Sequence, residues 1–292
     1  MSSNSPLNRV DPERGTEFEF TTRDFRKIAE IMRGECGIVL GDNKANLVYS
    51  RLVKRLRALH IESFRDYCDF IVSEDGADER RSMIAAMTTN VTKFFRETHH
   101  FEYLREKVLP RLASEARAGR RVRIWSAGCS SGEEPFSIAM TVLAAFPDAA
   151  TFDVKILATD LDHNMIAHGR AGLYDGSAAE SIPKDYKKFY SANEDGKDPR
   201  IQMSDKLRSL IRFNELNLLG AWPMKSGFDV IFCRNVMIYF DDATQFELCR
   251  RFSDLLPHGG TLCIGHSERA EVDRLPLDVT GQTTYLKNGK RP

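Results

Sequence analysis

The sequence predicts an α/β protein with an all-helical N-terminal domain, and two observations support that fold class. From about residue 121 onward, short apolar segments of strand character alternate with amphipathic segments of helical spacing, which is typical of a doubly wound parallel sheet with crossover helices. Residues 18–97 contain helical patterns alone. We therefore expect a helical domain at 18–97, a linker helix at 98–120 and an α/β domain at 121–292, preceded by a disordered lead at 1–17.

The helical domain is predicted from four amphipathic segments. The first begins with Thr21 or Thr22 as N-cap and repeats Phe25, Ile28 and Met32 at helical spacing. The other three are NKANLVYSRLVKRLRAL, SFRDYCDFIV and DERRSMIAAMTTN. In the linker helix, Pro110 predicts a kink, because proline lacks the backbone N–H that the interior of a helix requires.

The α/β domain is predicted from the order of its apolar segments. The expected strands are RVRIWSA, DVKILATD, FDVIFCRN, GGTLCIGHS and TTYLKN, and the expected helices are EPFSIAMTVLAAF, DHNMIAHGRAG and ATQFELCRRFSDLL. The stretch 173–212 breaks this alternation and contains the polar run SANEDGKDPRIQMSD. We expect an insertion or a small subdomain there.

Composition narrows the class of protein. With 292 residues, 42% of them apolar and 29% charged, the chain fits a soluble globular protein. Its 42 basic and 42 acidic residues cancel, so net charge favours neither nucleic acid nor a membrane surface. No apolar run approaches the ~18 residues of a membrane span, and the N-terminus has no apolar secretory segment. Six scattered cysteines fit reduced thiols in a cytoplasmic protein, and the cysteine and histidine spacings predict no metal site.

The segment SAGCSSGEE places a glycine turn between a strand and a helix, which is typical of ligand-binding sites. The dinucleotide pattern G-x-G-x-x-G fails because Gly128 is followed by Cys129 and Ser130, and a P-loop would need a G-K-[ST] ending. A diphosphate would also face Glu133 and Glu134. Each such like-charge contact costs about 4 kcal/mol at a separation of ~4 Å and an effective dielectric of ~20. The turn therefore predicts a ligand without phosphate.

S-adenosylmethionine fits this turn, because it combines adenosine with a sulfonium and an α-amino cation that carboxylates attract. Asp160 ends the second strand, where a carboxylate can accept hydrogen bonds from both ribose hydroxyls. Plainer interpretations exist: Glu134 could only stabilise the helix N-terminus, and Asp160 could cap the following helix, a role that Asp162 could fill instead. Of the two glutamates we assign Glu133 to the cofactor.

Several strings resemble the chemotaxis receptor glutamate methyltransferases of the CheR type. They are TTNVTKFFRE (88–97), WSAGCSSGEEPFSIAM (125–140), ILATDLD (156–162), FNELNLL (213–219), FDVIFCRNVMIYF (228–240) and GHSE (265–268). The resemblance implies a class I S-adenosylmethionine-dependent methyltransferase, Rossmann-like with a doubly wound sheet, and a small β-subdomain inserted at about 173–212. In some members that subdomain grips a receptor C-terminal peptide, but the match in this stretch is poor.

The resemblance also implies the site, position by position. The cofactor S-adenosylmethionine, which leaves S-adenosylhomocysteine as product, would be contacted by a set of nine residues. They are Asn90, Thr92, Arg96, Glu133, Asp160, Asn217, Leu218, Arg234 and Asn235.

The implied reaction forms glutamyl methyl esters on chemotaxis receptors. A glutamate with a pKa near ~4.3 is already ionised at neutral pH, so the site needs no general base and must mainly align carboxylate and methyl group away from water. We expect Arg96 and Tyr239 to line the acceptor site. The plainer interpretations are a surface ion pair of Arg96 with Glu97 or Glu102, and ordinary core packing of Tyr239.

The second predicted helix offers a basic surface. Val48, Leu52, Leu56 and Leu59 fall on one face, and residues 43–60 contain no acidic residue. The expected docking residues for the glutamate-rich cytoplasmic helical domain of the receptors are Arg51, Lys54, Arg55 and Arg57. A solvated helix face explains the same pattern equally well.

Two other functions fit the sequence. One is a methyltransferase for another acceptor, although zero net charge and the lack of interleaved aromatic and basic residues weigh against nucleic acid. The other is a non-catalytic adaptor that binds receptors or senses S-adenosylmethionine. The presence of Arg96, Glu133, Asp160 and Asn235 argues against a loss of activity. We expect no direct insertion into the membrane.

Overall fold

A computed structural model describes residues 17–193, 199–224 and 227–289. The chain divides into two compact units, Met1–Thr89 and Asn90–Pro292. The disordered lead predicted for 1–17 lies outside the described residues, apart from Glu17. Within the described ranges, none of the helices has the length and apolar character needed to cross a bilayer.

The first unit is helical, as the periodicity predicts. Its four α-helices are α1 (Thr22–Cys36), α2 (Ala45–Leu59), α3 (Phe64–Val72) and α4 (Ala77–Met87). Helix α1 begins with a capping box in which Thr21 and Asp24 satisfy each other's backbone N–H. The predicted apolar stripe of Phe25, Ile28 and Met32 is buried.

The division between the units falls after Thr89 rather than after residue 97, because the intervening segment packs in the second unit. Phe94 and Phe95 are buried in its core, and the Phe95 N–H donates to Ser137 Oγ at 3.0 Å. The predicted linker helix also belongs there, as α5 (His99–Tyr103), a π-helical turn (Leu104–Val108) and α6 (Leu109–Arg117). Pro110 lies in the first turn of α6, directly after the irregularity.

The second unit is built on a seven-stranded sheet. Its strands are β1 (Val122–Ala127), β2 (Val154–Asp160), β6 (Ile211–Glu215), β7 (Val230–Cys233), β8 (Thr261–Ile264), β9 (Leu277–Gly281) and β10 (Thr284–Lys287). The order is β6-β2-β1-β7-β8-β10-β9. In this order the five neighbouring strands from β6 to β8 are parallel, and β10 pairs antiparallel with both β8 and β9. This is a doubly wound arrangement, which brings the carboxyl ends of the parallel strands to one edge.

Helices and a small sheet complete the unit. The remaining helices are α7 (Glu133–Ala145), α8 (His163–Ala171), α9 (Asp205–Leu210) and α10 (Asp242–Leu255). Strands β3 (Leu173–Asp175), β4 (Tyr190–Asn193) and β5 (Arg200–Met203) form a separate antiparallel sheet in the order β3-β5-β4. The insertion predicted at 173–212 therefore contains the expected β-structure, but its last residues form α9 and begin the main-sheet strand β6.

The core lies on both faces of the main sheet. Along β1 the buried side chains alternate, with Ile124 in one apolar cluster and Trp125 in the other. All six cysteines are buried free thiols. Burial raises the pKa of Cys36 to about 11 and the pKa of Cys68 to about 12, so these thiols are packing groups rather than nucleophiles.

Candidate functional site

The glycine turn after β1 lies at the carboxyl edge of the sheet. Gly128 has φ +79°, and a Cβ there would lie 2.4 Å from Val236 Cγ2, so glycine is required by both conformation and space. The N–H groups of Gly128 and Cys129 donate to the Thr159 carbonyl at 2.8 and 2.9 Å. Ser130 follows with φ +48°. The turn is therefore held tightly against the end of β2.

Asp160 lies at the centre of this edge. Its Oδ2 accepts the Ser130 N–H at 2.7 Å and its Oδ1 accepts the Asp162 N–H at 2.9 Å. Burial raises the pKa of Asp160, although these backbone donors oppose the shift. Asp162 caps α8 by accepting the Asn164 N–H at 2.9 Å, so Asp160 is not the helix cap. It is a strand-end carboxylate of the kind that accepts ribose hydroxyls.

The two glutamates of the turn differ in surroundings. Glu134 is buried, and its carboxylate accepts from Ser126 Oγ at 2.6 Å and from Arg234 Nε at 2.7 Å. Its role exceeds the helix-dipole stabilisation considered from the sequence, because it forms a buried ion pair across the sheet edge. Glu133 is half-buried and accepts from Ser131 Oγ at 2.6 Å. Glu133 is thus the glutamate of the pair that retains access to a ligand.

Arg234, expected among the cofactor contacts, is enclosed by protein. Besides Glu134 Oε2, its guanidinium donates to the Arg96 carbonyl at 2.5 Å and lies 3.2 Å from His100 Nδ1 and 3.6 Å from Glu97 Oε2. Only 3% of its side chain is exposed. Arg234 therefore braces the start of α7 against the segment that carries Arg96.

Glu97 joins three segments of the edge. Its Oε1 accepts from Asn235 Nδ2 at 3.3 Å and lies 2.9 Å from His266 Nδ1. Burial alone would raise the pKa of Glu97, but the His266 hydrogen bond and the charge of Arg234 outweigh it, and the pKa is lowered. The carboxylate thus stays ionised beside its donors.

Glu97, His99 and His100 have ligand atoms within 4.8 Å of one another, the only such cluster within the described ranges. Glu97 Oε2 and His99 Nε2 have no hydrogen-bond partner among the residues that the structure describes. However, both His100 nitrogens are engaged, by Arg234 and by Thr283 Oγ1 at 3.1 Å. Burial, followed by the charge of Arg234, lowers the pKa of His100 to about 3. A guanidinium beside the cluster disfavours a cation, so we assign no metal there.

The two expected acceptor-site residues are half-buried at this edge. Arg96 Nη1 donates to the Val91 carbonyl at 3.0 Å, and Arg96 pairs with neither Glu97 nor Glu102. Tyr239 lies in a short 3-10 turn after β7, and its hydroxyl makes no hydrogen bond within the described parts of the chain. The surface ion pair and the core packing considered for these residues are not what the structure shows.

The remaining expected cofactor residues follow other elements of the same unit. Asn90 Nδ2 donates to Asp162 Oδ2 at 3.0 Å, which places the start of the segment that carries Arg96 beside Asp160. Thr92 is half-buried in that segment. After β6, Asn217 Oδ1 accepts the Leu219 N–H at 2.9 Å and Leu218 is buried. The parallel topology therefore brings Asn217 and Leu218 to the carboxyl edge, and the hydrogen bond to Asp162 brings Asn90 there.

The predicted docking helix α2 is less free than its sequence indicates. Arg51 Nη1 donates to the Met87 and Thr88 carbonyls at 2.7 and 2.8 Å, which caps the C-terminus of α4. Arg55 Nε donates to the buried Glu79 at 3.0 Å. The partners of both residues come from other segments, backbone carbonyls for Arg51 and a carboxylate for Arg55, so Arg51 and Arg55 are structural groups.

The other two docking residues remain accessible. Arg57 pairs with Glu17, but 58% of its side chain is exposed. Lys54 is exposed and has no ion-pair partner within the described residues. The available positive charge on α2 is thus about half of that predicted, concentrated at Lys54 and Arg57.

The carboxyl edge fits S-adenosylmethionine better than a phosphorylated nucleotide. Asp160 presents a carboxylate of the kind that binds ribose hydroxyls, and Glu133 offers negative charge beside the turn. The Arg234 guanidinium is already paired with Glu134 and so is not available to a phosphate. The fold and the donor set together define a class I methyltransferase.

Comparison with known proteins identifies the family. Residues 90–286 match the family model "CheR methyltransferase, SAM binding domain", and residues 23–88 match "CheR methyltransferase, all-alpha domain". This chain belongs to the CheR methyltransferase family.

Curated relatives agree. A probable chemotaxis protein methyltransferase of Rhizobium etli is 52% identical over 86% of this chain and 94% of its own length. Chemotaxis protein methyltransferase 2 of Pseudomonas aeruginosa is 40% identical over 96% of this chain and 99% of its own length. The Escherichia coli chemotaxis protein methyltransferase is 38% identical over 89% of each chain.

Proposed function

We propose that this protein transfers a methyl group from S-adenosylmethionine to glutamate side chains of chemotaxis receptors, in the cytoplasm, and so forms glutamyl methyl esters. The observation that carries the proposal is the carboxyl edge of the sheet, with Asp160, Glu133 and Arg96. These residues belong to the second unit, and almost the whole of that unit matches the family's cofactor-binding domain. The relatives named for chemotaxis cover both units.

The bound cofactor would supply an electrophilic methyl group on a sulfonium. Asp160 would accept the ribose hydroxyls, and Glu133 would attract the cationic end of the ligand. Asn90, Thr92, Asn217, Leu218 and Asn235 would line the rest of the pocket, and the buried Arg234 would hold the pocket walls rather than contact the ligand. The chain's main contribution is thus orientation and exclusion of water.

Arg96 and Tyr239 would orient the acceptor carboxylate. The acceptor is already ionised, so neither residue needs to remove a proton. One or two donors align the carboxylate without stabilising its charge so strongly that the ground state is favoured over the transition state, in which charge is partly cancelled. The partner would be the cytoplasmic helical domain of a receptor, approached in part through Lys54 and Arg57.

The test uses the full chain with tritiated S-adenosylmethionine and the purified cytoplasmic domain of a chemotaxis receptor. Transfer to glutamate yields label that alkali releases as volatile methanol, because methyl esters hydrolyse readily. Label that survives alkali would indicate a different acceptor. Binding of S-adenosylhomocysteine without any transfer would indicate a non-catalytic adaptor.

A further inference from the structure

The turn that follows β8, residues 265–268, contains an unusual buried carboxylate. Glu268 is 2% exposed. Its Oε2 accepts the N–H groups of Gly265 at 2.5 Å and Asn235 at 3.1 Å, and its Oε1 accepts those of Met237 at 2.7 Å and Ile238 at 3.3 Å. Four backbone donors therefore converge on one side chain, and no cationic side chain pairs with it within the described residues.

Three of those donors belong to the segment after β7 that leads to Tyr239. Asn235 in this segment has φ +61°, a conformation that a non-glycine residue keeps only when its surroundings fix it. Gly265 packs closely against the same residue. A Cβ added at Gly265 would lie 2.6 Å from the Asn235 backbone nitrogen and 2.8 Å from Glu268 Oε2. The turn at 265–268 and the segment after β7 therefore pack so closely that no side chain fits between them at Gly265.

The same turn also contacts the segment that carries Arg96. His266 Nδ1 lies 2.9 Å from Glu97 Oε1, next in sequence to Arg96. The short span 265–268 therefore touches both parts of the chain that hold an acceptor-site residue, Arg96 on one side and Tyr239 on the other. A change in the turn would alter the separation of those two groups.

Burial raises the pKa of Glu268, and the backbone N–H groups act against that shift. A buried carboxylate without a charged partner is costly for a fold, so its presence at this edge calls for a function. Replacement by glutamine would keep the shape but turn an NH₂ group toward two of the N–H donors, which would push the segment away.

We propose that Glu268 is a positioning residue for methyl transfer: by binding the backbone of residues 235–238 it fixes Asn235 and Tyr239 relative to Arg96. The inference rests on the proposed function. It concerns the rate of transfer at the assembled site, and it assigns Glu268 no contact with substrate or cofactor.

The chain offers a matched control for the test. Asp229 is also a buried carboxylate, 4% exposed, that accepts a backbone N–H, from Arg123 at 2.9 Å. It precedes β7, whereas the segment held by Glu268 follows β7, so the two lie at opposite ends of one strand. Glu268→Gln and Asp229→Asn therefore each remove one buried carboxylate charge, near to and far from the site; Asp229 differs in that it also pairs with Arg120.

In the receptor methylation assay, we expect Glu268→Gln to lower kcat at least tenfold while KM for the receptor changes less than threefold. Asp229→Asn should lower thermal stability, because it also loses the Arg120 ion pair, but should keep kcat within twofold. An equal loss of kcat in both variants, corrected for folded protein by circular dichroism, would make Glu268 merely structural. A Glu268→Gln enzyme with wild-type kcat would also overturn the inference.

A second variant tests the same geometry if Glu268→Gln does not fold. Gly265→Ala retains the carboxylate group but crowds both Asn235 and Glu268 Oε2. It should show the same fall in kcat with little change in receptor KM. An unchanged kcat in Gly265→Ala would overturn the inference. The wild-type chain separates the two levels of the argument: absence of alkali-labile label there contradicts the proposed function, whereas loss of the variant effects alone contradicts only the role of Glu268.

Discussion

The two ends of the parallel sheet in the second unit use buried charge differently. At the amino end, Asp229 accepts from Arg120 Nη2 at 2.8 Å and from the Arg123 backbone, beside a cavity of about 350 Å³. Two of the arginines that line the cavity are paired with carboxylates: Arg120 with Asp229 and Glu115, and Arg123 with Asp153. At the carboxyl end, Asp160 and Glu268 instead accept backbone N–H groups. The amino end thus pairs its buried carboxylate with a guanidinium, whereas the carboxyl end combines the Glu134–Arg234 ion pair with carboxylates that hold loop backbone.

Backbone conformation shows the same contrast. The described non-glycine residues of the second unit with positive φ all lie at the carboxyl end: Phe95, Glu97, Ser130, Asn235 and Thr283. Several are held by a side-chain acceptor, as Ser130 is by Asp160 and Asn235 is by Glu268. Strained backbone of this kind collects where ligands bind, because stability alone would not select it. The comparison teaches that, among the described residues, the carboxyl edge carries strained loop conformations that the amino edge lacks.

The largest expected effect tests whether the carboxyl edge carries the chemistry. If Arg96 orients the acceptor as proposed, Arg96→Ala should lower methyl transfer by roughly 10²–10³-fold. The protein should stay folded, since among the described residues the Arg96 guanidinium donates only to the Val91 carbonyl. Methanol release from labelled receptor measures the rate. Arg120→Ala, at the amino end, is the control and should retain activity. Near-normal ester formation in Arg96→Ala would contradict the assignment.

The next effect concerns stability at the carboxyl edge. Arg234→Gln should lower the free energy of unfolding by about 3–5 kcal/mol, because Glu134 is left buried without its charged partner. Urea denaturation followed by circular dichroism measures it. The exposed pair of Arg250 with Glu247 is the comparison, and Arg250→Gln should change stability far less, because solvent screens an exposed ion pair. Equal losses in the two variants would mean that Arg234 is not a brace.

Asp160 gives a smaller, pH-dependent effect. Its pKa is raised by burial, so on acidification it gains a proton at a higher pH than an ordinary aspartate and can then no longer accept both ribose hydroxyls. Affinity for S-adenosylhomocysteine should therefore fall as pH is lowered through that raised pKa. Asp160→Asn should weaken binding by roughly 10–100-fold and flatten the pH dependence. Calorimetric titration across pH measures both, and an identical pH profile in the variant would exclude Asp160 as the titrating group.

The smallest effect lies outside both ends of the sheet, on α2. Charge reversal at Lys54 and Arg57 should raise receptor KM a few fold at low salt and have little effect at high salt, because exposed charges steer association. Arg51→Ala should instead lower stability, since Arg51 caps α4. Initial rates against receptor concentration at two ionic strengths make the measurement. A KM indifferent to the reversal would rule out docking through α2.

The sequence predicted those features that depend on local pattern. The four helices of the first unit and the turn at Gly128 follow from periodicity and glycine placement. Strand β6 was not separated from the insertion, because FNELNLL follows an irregular stretch and only its register with β2 shows it to be a strand. Strand β9 was missed as well; only its antiparallel pairing with β10 identifies it.

Pairings distant in sequence account for the rest. Glu134 pairs with Arg234, Glu97 contacts His266, and Glu268 accepts the backbone N–H of Asn235. No rule of sequence spacing predicts these contacts until the order of the strands is known. The same limit affected α2, where Arg51 and Arg55 looked free because their partners lie in other segments. The sequence predicts which residues belong to the site. The fold is needed to tell those that can face a ligand from those, such as Arg234, that are enclosed by protein.

The buried cysteines give this protein a set of internal reporters. Cys36 and Cys68 belong to the first unit, and Cys129, Cys233, Cys249 and Cys263 to the second. A thiol reagent reacts only with an exposed thiolate, so each cysteine becomes labelled when its surroundings open. Timed alkylation followed by peptide mass spectrometry would therefore record the opening of each unit separately, without any introduced probe. Slower labelling of the four second-unit thiols on addition of S-adenosylhomocysteine would register the ligand as kinetic protection.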